Sequence, residues 1–337
     1  MARVTIIGDG GWGTAFGLVA AQREHTVCIW GAFPEYIDEV RRTRHNRKFL
    51  KDIPIPPGIL YETDIHRAVA GADIVVNAVP SKWVRPVFTT LRDQGFRGGS
   101  VLSLTKGIES ETLLRPTEVI TELVAPDRIG VLSGPSHAEE IARGLPATVV
   151  AAAPDMAFAG FIQASFASER LRIYTEEDLV GVEIAGALKN VIALAAGICE
   201  GLALGDNAKA ALLTRGVVEM ARLGKALGAN PATFYGLSGI GDLITTCYSG
   251  FGRNRNVGVR LGRGERLADI LGTMEMVAEG VFTARAVVPL ARKRDVSMPI
   301  AMQVHNILFA GLDPRSAVRS LMSRDFRQEK EKWAETV

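Results

Sequence analysis

Residues 8–13 read Gly8-Asp9-Gly10-Gly11-Trp12-Gly13, a GxGxxG set directly after the apolar run Val4-Thr5-Ile6-Ile7 and at the head of a helix-patterned segment, 11–23. Position gives this short pattern its weight. With a second apolar run at 26–31, strand, turn, helix and strand follow within about 30 residues, the opening of a βαβ unit. In that setting Gly8 allows the tight turn, Gly10 lets a backbone approach a pyrophosphate, and Gly13 lets helix meet strand, with phosphates over the helix N-terminus. A glycine turn without a ligand is the plainer alternative, and the βαβ context argues against it.

The first 150 residues continue in that style. Short Val/Ile-rich runs at 3–8, 26–31, 73–79, 100–105, 128–133 and 147–152 predict strands, with crossover helices at 11–23, 65–70 and 82–94. Runs such as Asp73-Ile74-Val75-Val76 are apolar at successive positions, as expected of a strand covered on both faces. The fold class is therefore α/β, a Rossmann-type doubly wound parallel sheet. Pro54, Pro56 and Pro57 mark a loop. Beyond about residue 175, Ala, Leu and Met recur at helical spacing in 177–200, 207–227, 283–293 and 299–310, so an all-α C-terminal domain follows. Pro231 and Pro299 stand just inside helix starts, and Gly228 and Gly311 just beyond ends. A chain of 337 residues suggests roughly two domains at about 150 residues each. The boundary is expected near 180, giving a dinucleotide-binding domain at 1–180 and a helical substrate domain at 181–330.

Thirty-nine Lys and Arg against thirty-seven Asp and Glu leave a formal charge of +2, which excludes the basic excess of a nucleic-acid binder. At 47% apolar the chain is no disordered segment. Cys28, Cys199 and Cys247 lack metal or disulfide spacing, and a reducing cytoplasm fits them. The N-terminal strand is too short for a signal peptide. Residues 185–205 are the most membrane-like stretch, but Lys189, Asn190 and Glu200 interrupt it, so a buried helix rather than a membrane span is expected. The charged run 324–335 reads as a solvated tail or helix end.

Several residues carry candidate chemistry. Asn77-Ala78-Val79-Pro80-Ser81 and Thr105-Lys106-Gly107 break two strands at the sheet edge where such folds bind ligands. Lys106 suits an anionic substrate or the cofactor ribose. Gly134-Pro135-Ser136-His137-Ala138 follows a third tip, and His137 has no metal role. Lys189 stands in the nearly all-apolar Ala185-Gly186-Ala187-Leu188-Lys189-Asn190-Val191. Snorkelling is the ordinary fate of such a lysine. Here it begins the second domain, beside Asn190, and a desolvated lysine exchanges protons near neutrality. Gly239-Ile240-Gly241-Asp242-Leu243, Thr245, Thr246 and Arg253-Asn254-Arg255-Asn256 supply a further carboxylate and an anion clamp. The second strand ends in Trp30-Gly31-Ala32-Phe33, with Phe33 where an adenosine ribose would lie. Neither an acidic residue for ribose hydroxyls nor an Arg for a 2′-phosphate stands there. Arg41, Arg42 and Arg44 follow one helix later. The cofactor is thus NAD or NADP, leaning to NAD.

Together the motifs GDGGWGTA, NAVPS, LTKGIE, GPSHAEE, GALKN, GDN, GIGDLITTC, GRNRNVG and VAEGV, in this order from residue 4 to about residue 324, resemble the soluble, bacterial-type NAD(P)-dependent glycerol-3-phosphate dehydrogenases. The resemblance implies interconversion of dihydroxyacetone phosphate and sn-glycerol 3-phosphate for phospholipid synthesis, in a cytoplasmic homodimer. It makes Lys189 the proton donor and acceptor, working with Asp242 and Lys106. Lys106, Gly134, Ser136, Asp242, Arg253 and Asn254 become substrate contacts, and Gly11, Trp12, Lys106, Ala138, Arg253, Val277 and Glu279 cofactor contacts. Two departures stand out. Gly252 replaces a serine common in bacterial members, and Ala32-Phe33 replaces a basic residue. The Thr-Thr-Cys-Tyr run at 245–248 is similar to NAD-preferring eukaryotic relatives. A β-hydroxyacid dehydrogenase also places lysine near asparagine on the first helix of its second domain, but it builds its anion site differently from the Asp242 and Arg253-Asn254 cluster. A noncatalytic nucleotide sensor would have no use for Lys189.

Overall fold

The computed structural model describes residues 1–274, 276–325 and 328–329. Ten strands occur among them: β1 (Arg3–Ile7), β2 (Thr26–Trp30), β3 (His45–Asn46), β4 (Leu50–Pro54), β5 (Leu60–Glu62), β6 (Ile74–Asn77), β7 (Ser100–Ser103), β8 (Arg128–Ser133), β9 (Ala147–Ala152) and β10 (Leu171–Glu176). Eight form one sheet in the order β10-β9-β8-β7-β6-β1-β2-β5, while β3 and β4 make a separate hairpin. The chain runs outward from β1 to one side through β2 and to the other through β6. That reversal is the switch point at which open α/β sheets bind ligands.

The sheet is parallel except where β8 meets β9, which pair antiparallel. The expected Rossmann-type parallel sheet thus carries one antiparallel pairing. Between them lies only the five-residue helix Ala138–Ala142, about 7.5 Å long at 1.5 Å per residue. Such a helix does not carry the chain back along a six-residue strand of about 20 Å. β9 therefore returns in the opposite sense, and β10 follows it in parallel.

Strands β5 and β10 were not expected from the sequence. The outermost strand β10 buries Leu171 and Ile173 and exposes Arg172 and Tyr174, so its period is two rather than a continuous apolar run. The loop expected around Pro54, Pro56 and Pro57 starts one residue late, because Pro54 closes β4 at the end of a hairpin, a position proline tolerates.

The glycine loop is held by its own geometry. Gly8 has φ +119°, and a Cβ there would meet the Ala78 carbonyl carbon at 2.9 Å. A Cβ on Gly13 would lie 2.1 Å from the Gly8 carbonyl oxygen, so the helix Gly11–Gln22 touches the loop backbone directly. Gly13→Ala should therefore lower stability by about 1–3 kcal/mol through overpacking, read as a lower urea midpoint. An unchanged midpoint would mean that helix and loop separate freely.

Beyond β10 the described residues are helical. Leu179–Gly201, Gly205–Ala226, Glu279–Lys293 and Pro299–Phe309 match the expected segments. Pro231 and Pro299 occupy first helical positions, and Gly228 and Gly311 follow helix ends with φ +91° and +68°. Asp242–Tyr248, Arg253–Gly262, Leu267–Gly272 and Pro314–Met322 are further helices, short or rich in Gly, Asn, Thr and Arg, which hides their period. Leu179–Gly201 is long and apolar enough to cross a membrane, yet 89% of its apolar window is buried inside the fold. It is the core of the helical half. Gly197 and Gly258 let it pack against Arg253–Gly262 backbone to backbone, since a Cβ on Gly258 would lie 2.1 Å from the Leu194 oxygen. The tail expected at 324–335 lies largely outside the described residues.

Candidate active site

The helix Leu179–Gly201 buries Lys189, leaving it 6% exposed. Facing it is Asp242, where the π-helical turn Leu237–Gly241 passes directly into the α-helix Asp242–Tyr248. Lys189 Nζ donates to Asp242 Oδ1 at 3.0 Å and to Thr246 Oγ1 at 2.6 Å. Asp242 and Thr246 are one turn apart and so share a face. The other carboxylate oxygen, Oδ2, accepts from Lys106 Nζ at 2.7 Å. Lys106 lies just past β7 and also donates to the Gly134 carbonyl at 3.0 Å and to Ser136 Oγ at 3.4 Å. One carboxylate thus aligns two ammonium groups, one from each half of the chain.

Their charges are coupled. Burial alone would raise the Asp242 pKa, but the Lys106 and Lys189 ammonium groups outweigh it and hold the carboxyl below its ordinary value. Burial pushes Lys189 down to about 8, against the pull of Asp242 and with help from the Lys106 charge. A lysine poised there both donates and accepts a proton near neutral pH. Burial, then the Lys189 charge, lowers His137, whose ring lies 5.8 Å from that of Phe251.

Asn254 extends the cluster. Its Nδ2 donates to Asn190 Oδ1 at 2.9 Å, and its Oδ1 accepts from the Gly280 amide at 2.9 Å. Next to it, exposed Arg253 donates to the Val277 carbonyl at 3.3 Å. Glu279 is half-buried and accepts from the Ser81 amide and hydroxyl at 3.0 and 2.5 Å, tying its helix to the tip of β6. The departure at Gly252 has a steric reason, for a Cβ there would lie 2.4 Å from the Thr246 carbonyl oxygen. A serine does not fit this loop without moving the residue that holds Lys189.

Gly8, Gly10, Gly11, Trp12 and Gly13 make the turn from β1 into the helix Gly11–Gln22. No protein atom lies within 4 Å of a Cβ built on Gly10, which leaves that backbone open at the helix N-terminus, as a pyrophosphate requires. Ala138 borders the loop, its Cβ 3.7 Å from where one on Gly11 would stand. Asn46 clamps the loop by donating to the Asp9 carbonyl at 2.7 Å and to Thr14 Oγ1 at 2.8 Å. Phe33 is 67% exposed just beyond the end of β2. Arg41 is bound to the Tyr61 carbonyl at 2.7 Å, and Arg44 to the Ile55 and Ile59 carbonyls at 3.2 and 3.0 Å, so both serve the local fold. The groups present fit a dinucleotide.

The contacts made by Thr246, Ser81 and Asn46 are not announced by any motif. Thr246 and Ser81 lay inside segments already singled out, so proximity was the available signal. Asn46 left none, since its partners lie 37 and 32 positions away.

A glycine loop at the switch point of a Rossmann-type sheet, with a lysine–carboxylate–lysine cluster drawn from both halves of the chain, defines a nicotinamide-dinucleotide dehydrogenase. The chain belongs to the NAD-dependent glycerol-3-phosphate dehydrogenase family: the profile of that family's N-terminus matches residues 3–159 and that of its C-terminus residues 178–319. A Salinibacter ruber protein named glycerol-3-phosphate dehydrogenase (NAD(P)+) 1 is 47% identical, covering 100% of this chain and 99% of its own. A Chlorobium limicola namesake is 44% identical over 97% of this chain and 99% of its own. The crystal structure of glycerol-3-phosphate dehydrogenase from Coxiella burnetii superposes with a TM-score of 0.92 at 34% identity, covering 96% of this chain and 99% of that one. A D-mandelate dehydrogenase, 14% identical with a TM-score of 0.63, shares the fold alone.

Proposed function

We propose that this protein interconverts dihydroxyacetone phosphate and sn-glycerol 3-phosphate with NAD(P)H, and so supplies glycerol 3-phosphate for phospholipid synthesis. The observation that carries the reading is the Asp242 carboxylate held between Lys106 and Lys189, in a chain whose full-length relatives bear that enzyme's name. When bound, the reduced nicotinamide supplies hydride to C2. Lys189 gives its proton to the C2 oxygen, and in the reverse direction takes it back. Asp242 and Thr246 aim the ammonium, while Lys106, Gly134 and Ser136 border the substrate. Arg253 and Asn254 hold the phosphate, with Arg253 also reaching the cofactor beside Val277 and Glu279. Lys106, Lys189 and Arg253 outnumber Asp242 in charge, which suits a phosphate ester.

The same reading assigns residues 1–180 to the cofactor and 181–330 to the substrate, and takes the protein as a cytoplasmic homodimer. A preference for NAD is supported by the engagement of Arg41 and Arg44 with backbone carbonyls and by the apolar strand tip at Phe33. Turnover of 3-hydroxyisobutyrate without dihydroxyacetone phosphate activity would overturn the substrate assignment.

The Lys189 pKa of about 8 sets the pH dependence. Reduction needs the ammonium, so its kcat/KM should fall above about pH 8. Oxidation needs the free amine, so its kcat/KM should rise to a plateau above the same pH. Parallel profiles in the two directions would contradict Lys189 as the shared acid/base.

A further inference from the structure

The Asp9 side chain poses an electrostatic problem. It stands inside the glycine loop, where a carboxylate facing the phosphates would repel them. The structure turns it away. A Cβ on Gly31, one residue past the end of β2, would lie 2.3 Å from Ile37 Cδ1 and 2.9 Å from Asp9 Cγ, so the Ile37 side chain and the Asp9 carboxyl group share the space beside the strand tip that a side chain at 31 would fill. Asp9 Oδ2 is shut off from solvent and has no hydrogen-bond partner, while the residue as a whole stays part-exposed. Buried polar atoms are nearly always paired, and an orphan calls for an explanation.

The backbone here is fixed, because the Asp9 carbonyl accepts from Asn46 Nδ2 at 2.7 Å and from Thr14 Oγ1 at 3.3 Å. Burial raises the Asp9 pKa, opposed by its own backbone amide and by the Lys48 charge, and Lys48 forms no ion pair with it among the described residues. Its ammonium lies 5.1 Å from the centroid of the Phe49 ring.

In Rossmann-type sheets an Asp or Glu following the second strand accepts from the adenosine ribose hydroxyls. This chain has Gly31, Ala32 and Phe33 there instead. We propose that Asp9, reaching from the glycine loop into the space left by Gly31, takes over that task, accepting from the adenosine ribose and turning away a 2′-phosphate by like charge. Gly31 and Asp9 then work as a pair, one leaving room for the other's carboxylate. The proposal rests on the dinucleotide reading of the site and specifies its cofactor.

Direct binding tests it. Trp12 and Trp30 flank the loop, so quenching of tryptophan fluorescence follows NADH and NADPH in titrations of the wild type, Asp9→Asn and Asp9→Ala. The wild type should bind NADH more tightly than NADPH. Asp9→Asn keeps the shape and removes the charge, and it should shift the ratio of dissociation constants toward NADPH by about 10- to 100-fold, the scale of a charge-assisted hydrogen bond. Asp9→Ala should shift it in the same direction. A ratio that stays within about twofold of wild type in Asp9→Asn, with its far-ultraviolet circular dichroism unchanged, would overturn the proposal. If the wild type reduces dihydroxyacetone phosphate while the ratio fails to move, only the role of Asp9 falls. If the ratio moves but no dihydroxyacetone phosphate is reduced, the role of Asp9 stands and the substrate assignment falls.

Discussion

Lys189→Ala lowers the rate of dihydroxyacetone phosphate reduction by about 10²–10⁴-fold, the usual range for losing a positioned acid/base. The size follows from the surroundings of Lys189. It is buried in the middle of the core helix, held by Asp242 and Thr246, and its pKa stands at about 8. Lys106 does not replace it, because its ammonium is already engaged by Asp242 Oδ2, the Gly134 carbonyl and Ser136. The fold should tolerate the loss, since Asp242 keeps Lys106 as its partner. Lys189→Met makes a control of similar volume. The lysine is charged in the unfolded chain up to its ordinary value of 10.5 but in the folded chain only up to about 8. Between those pH values the unfolded state binds more protons, so wild-type stability gains on Lys189→Met as pH rises through that window. Full activity in Lys189→Ala would remove the proposed mechanism. A stability difference independent of pH between 8 and 10.5 would remove the shifted lysine.

Asp242→Ala damages both stability and rate. Its carboxylate is 2% exposed and bridges two ammonium groups. Removing it leaves buried Lys189 and part-buried Lys106 close together and uncompensated, a change that typically costs up to about 3–5 kcal/mol. Asp242→Asn preserves the shape and isolates the charge. Since the Asp242 charge opposes the effect of burial on Lys189, the Lys189 pKa should fall in Asp242→Asn, and the break in the reduction profile should move below pH 8. Urea denaturation reads the first effect and kcat/KM against pH the second. A break that stays near pH 8 would mean that Asp242 does not set the state of Lys189.

Much of this was legible in the sequence for physical reasons that differ by element. Buried strands β1, β2 and β6 to β9 announce themselves through runs of Val, Ile and Ala, and the core helix through its length. The antiparallel turn at β9 was not legible, because its direction depends on a connection too short to cross the sheet. Lys189 stood out as a charge in an apolar helix. That Asp242 would serve two lysines, 136 and 53 positions away in the chain, required the helices to be packed first. The effect of Gly252 emerges only from its closeness to the Thr246 carbonyl, and the orphaned Asp9 oxygen only from the space beside Gly31.

The central claim is hydride delivery to C2 with proton delivery to the oxygen on it. NADH carrying deuterium at the transferred C4 position, incubated with the enzyme and dihydroxyacetone phosphate, tests it in one mass spectrum. The account predicts sn-glycerol 3-phosphate bearing a single deuterium on C2, formed by the wild type and nearly abolished in Lys189→Ala. Product without deuterium at C2, or no product from a wild type that binds NADH, would contradict it.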